Sequence, residues 1–315
     1  MLLSLGLFGA GLTLLVWGGD WFVDGAVGAA KRFHWPEALV GATVVSIGTT
    51  LPEVMVSVHA AVRGHGELGY GNAVGSVLCN AALIAGLSAA IHPEAAGREE
   101  ARLPALFFFL AAGVYCFAAY GKGYFGQGTG LMLLGLFGLY LILTLRRLQG
   151  QVQTAETGGG SFRREIGLLV LGAAAIALGA ELLVDHGTVL ARGLGVPESV
   201  IGLTLVALGT SLPELTTAVA ALLKGHGALS LGNILGANLL DLALAGGAAA
   251  AIAPFPLPEG KDLLGSSSTL VLDLPLMILV MAILTLPVLG RGRTSRGQGA
   301  VLLALYAGFC VLQFL

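Results

Sequence analysis

Charge is what this sequence has least of. Its 315 residues include 16 Lys and Arg and 18 Asp and Glu, so 11% are charged, where a water-soluble domain carries roughly a quarter. With 56% hydrophobic residues and a mean hydropathy of +0.88, the chain cannot clothe itself in polar surface, and it reads as a polytopic membrane protein. The net charge of −2 leaves no basic surface for nucleic acid. Cysteine is nearly absent: Cys79, Cys116 and Cys310 lie far apart in apolar runs, without CxxC or a Cys/His cluster. That excludes a disulfide framework and gives no zinc motif. The N-terminus has no basic region ahead of its apolar run, so it is expected to be a retained first helix and not a cleaved signal. No nucleophile–base pair, metal motif or phosphate loop is present, so the chain is not expected to be an enzyme, and no cofactor is called for.

Glycine, by contrast, is abundant at 49 residues, as suits transmembrane helices packed through small side chains. A bilayer core takes about 20 apolar residues per helix, and the chain divides into ten such segments: 2–29, 37–62, 68–91, 102–120, 125–147, 164–190, 198–223, 229–253, 268–289 and 297–315. The longest polar stretch, from Arg146 to Arg164 with its Gly158-Gly159-Gly160 run, reads as a linker between halves. It is too short to fold as a domain of its own.

The halves match each other. A shift of 161 positions aligns them without a gap from Gly18 to about Ile91. Asp24 falls on Asp185, Pro36-Glu37 on Pro197-Glu198, Gly64-His65-Gly66 on Gly225-His226-Gly227, and Gly71-Asn72 on Gly232-Asn233. This is an internal duplication. Five segments per half is an odd number, so the second half enters the membrane inverted. Inverted repeats with sites at mid-membrane are a transporter architecture. The expected fold is therefore all-α and polytopic, with ten transmembrane helices as two inverted five-helix repeats. The halves are 1–147 and 164–315, joined by a cytoplasmic linker at 148–163, and helices 2, 3, 7 and 8 are broken. Positive charge orients it. The odd-numbered gaps hold Lys31, Arg32, Arg98, Arg102, Arg146, Arg147, Arg163, Arg164, Lys224, Arg291, Arg293 and Arg296, and the even gaps only Arg63, Lys122, Arg192 and Lys261. By the positive-inside rule both termini lie outside, in a cell inner (plasma) membrane.

The duplication repeats one acidic motif, Gly48-Thr49-Thr50-Leu51-Pro52-Glu53 and Gly209-Thr210-Ser211-Leu212-Pro213-Glu214. An acid at mid-membrane is costly and marks an ion or substrate path. Thr49 and Glu53 share a helical face, and Pro52 frees backbone carbonyls that survive at membrane depth only where they line a cavity. Such all-oxygen surroundings suit hard cations, Na⁺ or Ca²⁺. The third segment adds Asn72, Ser76 and Asn80 on one face; its mate offers Asn233, Ala237 and Asp241, with Asn238 alongside. Around a pseudo-two-fold axis these bring Glu53, Glu214, Asn80 and Asp241 together. Three carboxylates carry −3, which one Ca²⁺ reduces to −1, so one acid is expected to hold a proton while Ca²⁺ is bound, with Asp241 the candidate.

Simpler roles fit other residues. Asp20, Asp24, Glu181 and Asp185 fall towards helix ends and suit interfacial pairing; Glu37 and Glu198 suit helix N-termini. His65 and His226 read as turn residues, and His59 as packed.

The two acidic motifs, together with Gly71-Asn72-Ala73-Val74-Gly75-Ser76 through Asn80 and Gly232-Asn233-Ile234-Leu235-Gly236-Ala237 through Asp241, resemble the paired α-repeats of the sodium/calcium exchangers, especially compact prokaryotic members of the cation/calcium antiporter superfamily. The resemblance covers essentially the whole chain. It implies Na⁺/Ca²⁺ antiport by alternating access, with helices 1 and 6 sliding on the core. Glu53 and Glu214 would bridge the ions, Thr49 and Thr210 would supply oxygens, Ser76, Thr50 and Ser211 would line Na⁺ sites, and Asn80 and Asp241 would complete the centre. The carbonyls of Ser46 and Ala207 would be ligands. Thr50 replaces a serine and keeps its hydroxyl. Ala237 replaces another and loses an oxygen, so weaker or altered Na⁺ dependence is expected. The nearest alternative is a Ca²⁺/H⁺ antiporter of the same superfamily, disfavoured because Ser76 and Ala237 stand where those proteins carry glutamate; a cation channel is more distant. The expected partners are Na⁺, Ca²⁺ and the bilayer, with a monomer the working expectation for a chain whose oligomeric state the sequence leaves open.

Overall fold

Long apolar runs can satisfy their backbone inside a bilayer only as helices, and the chain is almost wholly helical. The computed structural model describes residues 2–93, 97–150, 162–193, 209, 211–258, 262–263 and 266–314. Ten helices follow in order: α1 (Leu2–Phe33), α2 (Glu37–Val62), α3 (Gly66–Ile91), α4 (Arg98–Lys122), α5 (Gln127–Gly150), α6 (Phe162–Gly193), α7 (Leu212–Leu223), α8 (Gly227–Ile252), α9 (Thr269–Arg291) and α10 (Arg296–Phe314). Eight are long and apolar enough to span a membrane; α7, described only from Leu212, and α10 are shorter apolar helices. Of the four helices expected to be broken, three carry π turns, not gaps, at Gly41–Val45 in α2, Cys79–Ile84 in α3 and Asp241–Gly246 in α8; the matching stretch of α7 lies outside the described residues. Further π turns lie in α4 and α9. The Pro52 turn stays within continuous helix.

The repeat is visible in small details. Gly64 (φ 85°) and Gly225 (φ 78°) are mates under the 161-residue shift. Each lets its helix end with the same pair of bonds: His65 N to Ala60 O at 2.9 Å and Gly64 N to Ala61 O at 2.8 Å, then His226 N to Ala221 O at 2.8 Å and Gly225 N to Leu222 O at 3.0 Å. Only a left-handed residue closes a helix this way, which is why glycine occupies both positions.

Contacts between connections separate by parity, as alternating spans demand. Arg32 at the end of α1 pairs with Glu165 at the start of α6 (2.7 Å). His226 after α7 meets Glu37 at the start of α2 (2.9 Å). Arg147 near the end of α5 donates to the Glu99 carbonyl at the start of α4 (3.2 Å). All join odd-numbered gaps. The two even gaps after α4 and α8 meet in a two-residue ribbon, β1 (Tyr124–Phe125) with β2 (Phe255–Pro256), under which Phe125 and Phe255 stack at 5.1 Å.

Two apolar clusters divide the interior. The larger joins α3, α4, α5, α8, α9 and α10 around Phe107, Phe108, Tyr115, Tyr140 and Met277. The smaller joins α1, α2, α6, α7 and α8 through Leu15, Phe22, Val23, Val40, Ile176, Ala221 and Leu229. Within it α1 and α6 form an antiparallel pair with their backbones nearly touching. A Cβ added at Gly11 would lie 2.9 Å from the Gly179 carbonyl, and one at Gly179 2.8 Å from the Gly11 carbonyl; Gly18 and Gly172 are apposed in the same way. Side chains larger than hydrogen would push these helices apart.

Candidate cation site

Glycine brings the site-bearing helices together. A Cβ at Gly41 of α2 would sit 2.2 Å from the Leu229 carbonyl, and one at Gly236 of α8 would sit 2.6 Å from Ser46 Oγ. The π turns of α2 and α8 free main-chain oxygens, two of which are capped by tyrosines. Tyr140 donates to the Ala42 carbonyl (2.7 Å) and Tyr115 to that of Leu242 (3.4 Å). Neither tyrosine was expected from the sequence, where the sole signal was a phenol inside an apolar helix.

At the centre lie the acids. Glu53 and Glu214 are each 1% exposed and Asp241 is fully buried. Thr50 donates to Glu214 Oε1 at 3.1 Å, tying the two motifs together across the repeat. Asn80 donates to Asp241 Oδ2 at 3.2 Å, so two residues that are exact mates in sequence touch in space. Both stand in the π turns of α3 and α8, a position common for functional residues. Asn72 holds the backbone of the first motif, donating to the Glu53 carbonyl and to Ser57 Oγ, each at 3.0 Å. Thr49 donates to Asn233 Oδ1 at 3.3 Å, and Asn233 in turn donates to Thr217 at 3.0 Å. Thr49 also reaches the Ser46 carbonyl (3.4 Å).

What remains without a partner is informative. Both carboxylate oxygens of Glu53, one of Glu214, one of Asp241, the amide oxygen of Asn80 and the hydroxyl of Ser211 are buried and make no hydrogen bond among the described residues. Polar atoms in a protein interior are nearly always satisfied, and five of these six are pure acceptors. A cation is the natural partner for converging acceptor oxygens. Among the described residues no three acids, histidines or cysteines are grouped as a metal cluster would be.

Of the residues expected from sequence, Thr50 pairs with Glu214 and Asn80 with Asp241, Thr49 meets Asn233 and the Ser46 carbonyl, and Glu53 is held through its main-chain carbonyl by Asn72. Ser46, Ser76 and Ser211 are buried on the same helices or at their ends. Thr210 and Ala207 lie outside the described residues. Ala237 is fully buried one turn before Asp241. Asn238 turns away, donating to Met281 Sδ at 3.1 Å. His59 is exposed and not packed, and His226 is a partly buried partner of Glu37 as well as a turn residue. Asn233 and Asn72 bond to the first motif directly, a role that their spacing alone did not distinguish. A cavity of about 10 Å³ beside Thr49 and Pro52 is also lined by Phe22 of α1 and Ile176 of α6.

An inverted pair of five-helix repeats with unsatisfied acidic oxygens at mid-span defines a membrane cation transporter. Comparison with known proteins narrows the class. The family described as sodium/calcium exchanger protein matches residues 3–146 and 164–315. An uncharacterized membrane protein of Methanocaldococcus jannaschii is 35% identical, covering 97% of this chain and 96% of its own length. Sodium/calcium exchanger MaX1 of Methanosarcina acetivorans is 31% identical, covering 96% of each chain. The solved structure of the sodium-calcium exchanger NCX_Mj soaked with Na⁺ and Sr²⁺ superposes with a TM-score of 0.82 at 33% identity, covering 97% of both chains. The chain belongs to the sodium/calcium exchanger family.

Proposed function

We infer that this protein is a secondary active transporter that exchanges Na⁺ for Ca²⁺ across the membrane by alternating access. The observation that carries the reading is the set of unpartnered buried oxygens on Glu53, Glu214, Asp241 and Asn80, contributed by inversion-related helices. The relatives named as sodium/calcium exchangers, and a structural match soaked with Na⁺ and Sr²⁺, support the choice of ions. Glu53 and Glu214 bridge the central Ca²⁺ and flanking Na⁺. Thr49 and Thr210 supply hydroxyl and main-chain oxygens, and Ser76, Thr50 and Ser211 line the Na⁺ positions. Asn80 and Asp241 close the centre, and the carbonyls of Ser46 and Ala207 complete the donor set.

Residues 1–147 and 164–315 act as the two inverted halves, with 148–163 as a cytoplasmic linker. The termini face outward, because the Lys- and Arg-rich odd gaps belong on the cytoplasmic side. Coupling arises because the same carboxylates serve either one divalent or several monovalent cations, so the loads exclude each other. The Ca²⁺/H⁺ alternative is not favoured: Ser76 and Ala237 offer no extra carboxylate to carry protons.

Flux into proteoliposomes with opposed Na⁺ or pH gradients at matched membrane potential tests this. Ca²⁺ uptake driven by an outward Na⁺ gradient is expected. Uptake driven by pH and indifferent to Na⁺ would overturn the reading.

A further inference from the structure

Lys224, at the C-terminal end of α7, donates to Asp24 Oδ1 at 2.8 Å and to the Asp20 carbonyl at 2.8 Å, with Asp20 Oδ1 at 3.3 Å. The two aspartates are four apart on one face of α1. Every member of this group has a counterpart under the 161-residue shift. Arg63 stands at the matching end of α2, and Glu181 and Asp185 stand four apart on α6. Yet Arg63, Glu181 and Asp185 are exposed and make no ion pair among the described residues.

The neighbouring faces differ in the same sense. On α7, Thr217, Ala220 and Ala221 are buried, and a Cβ on Gly19 of α1 would lie 2.7 Å from Thr216 Cγ2. Their mates on α2 are more open: Val56 is 46% exposed, Met55 69%, His59 is exposed and Ala60 half-buried. So α1 lies against α7 at one side of the membrane, while among the described residues the inversion-related approach of α6 to α2 is much sparser. The glycine-lined α1–α6 pair, locked by the two-pronged Arg32–Glu165 bridge (2.7 and 3.0 Å), can move only as one body.

We propose that Lys224 with Asp20 and Asp24, and Arg63 with Glu181 and Asp185, are two alternating ionic latches on opposite sides of the membrane, the first closed and the second open in this structure. Moving the α1–α6 pair releases one and engages the other. Each helix C-terminus carries partial negative charge, which its cation screens from the facing acids, so that docking is favourable only with the cation in place. Solvent-exposed pairs contribute little to the stability of a fold, but here the balance lies between two states of nearly equal energy, where a small term is decisive. The proposal rests on the alternating-access reading above and extends it to residues outside the cation site.

Hydrogen–deuterium exchange of the full chain in nanodiscs tests it. Asp20→Asn with Asp24→Asn is expected to speed exchange in segments 20–30 and 217–226 and to slow it in 56–66, shifting the ratio of the two states by up to about fivefold. Arg63→Gln is expected to shift it the opposite way, and the combined variant to return towards wild type. Asp24→Glu, which keeps the charge, is expected to behave as wild type. Should the double aspartate variant prove unstable, Lys224→Gln is expected to give the same shift. Exchange unchanged by neutralising either group, or shifted in one direction by both, would overturn the proposal. This readout does not depend on which cations are carried, so its failure and failure of the Na⁺/Ca²⁺ reading are distinguishable.

Discussion

Substituting Glu53 by glutamine removes one charge and almost no volume. In the native chain both oxygens of Glu53 are buried and unpartnered, and the residue is 1% exposed. At an effective dielectric of about 20, a unit charge about 4 Å away contributes roughly 4 kcal/mol, and a divalent ion roughly twice that. Desolvation offsets much of it, and removing one partner of a buried ionic pair costs about 3–5 kcal/mol net. At about 1.4 kcal/mol per decade, Glu53→Gln should weaken Ca²⁺ binding by about 100- to 3000-fold. Thermal unfolding in detergent reads this directly. At a Ca²⁺ concentration about 100 times the wild-type Kd, binding stabilises the native protein by about 2.7 kcal/mol, and the variant by less than about 0.5 kcal/mol. With chelator present the variant should be at least as stable as wild type, because an uncompensated buried charge has gone. That second measurement separates a lost ion site from a damaged fold. A Ca²⁺ affinity within tenfold of wild type, in a protein that unfolds normally in chelator, would refute the assignment of Glu53 to the site.

Four further outcomes are expected. Ala237→Ser restores the hydroxyl that the repeat carries at Ser76 and should lower the Na⁺ concentration for half-activation several-fold; unchanged Na⁺ activation would remove Ala237 from any ion position. Ca²⁺ uptake should fall as pH falls, because protons compete for Glu53 and Glu214. If Asp241 keeps its proton while Ca²⁺ is bound, Asp241→Asn should still transport but with an altered pH profile, and an unchanged profile would count against that protonation. Tyr140→Phe leaves the Ala42 carbonyl without its 2.7 Å partner; it should lower stability by about 0.6–1.7 kcal/mol on thermal unfolding, and no loss would show that the bond is dispensable.

The fold was legible because the bilayer allows so few solutions. Apolar length set the spans, and most of the expected segments coincide with the helices within a few residues. The site was half legible. Glu53 and Glu214 stand out as acids in apolar runs, and Asn80 and Asp241 as mates under one shift. Their contact, by contrast, needs α3 and α8 to cross with both π turns in register, a property of packing between segments far apart in sequence. The same holds for Asn238. Its spacing from Asn233 suggests a place beside the site, but its amide meets Met281 of α9 instead.

Composition and duplication, read along the chain, were enough for the class and the inverted architecture, because each follows from local chemistry or from counting residues. Which of two equivalent ion pairs is made is another matter. Lys224 and Arg63 have the same neighbours in sequence terms, with acids at the same two offsets, and no linear pattern distinguishes them. The choice is a property of where the α1–α6 pair rests against the core. A duplicated chain specifies both positions equally, and only the packed structure occupies one of them.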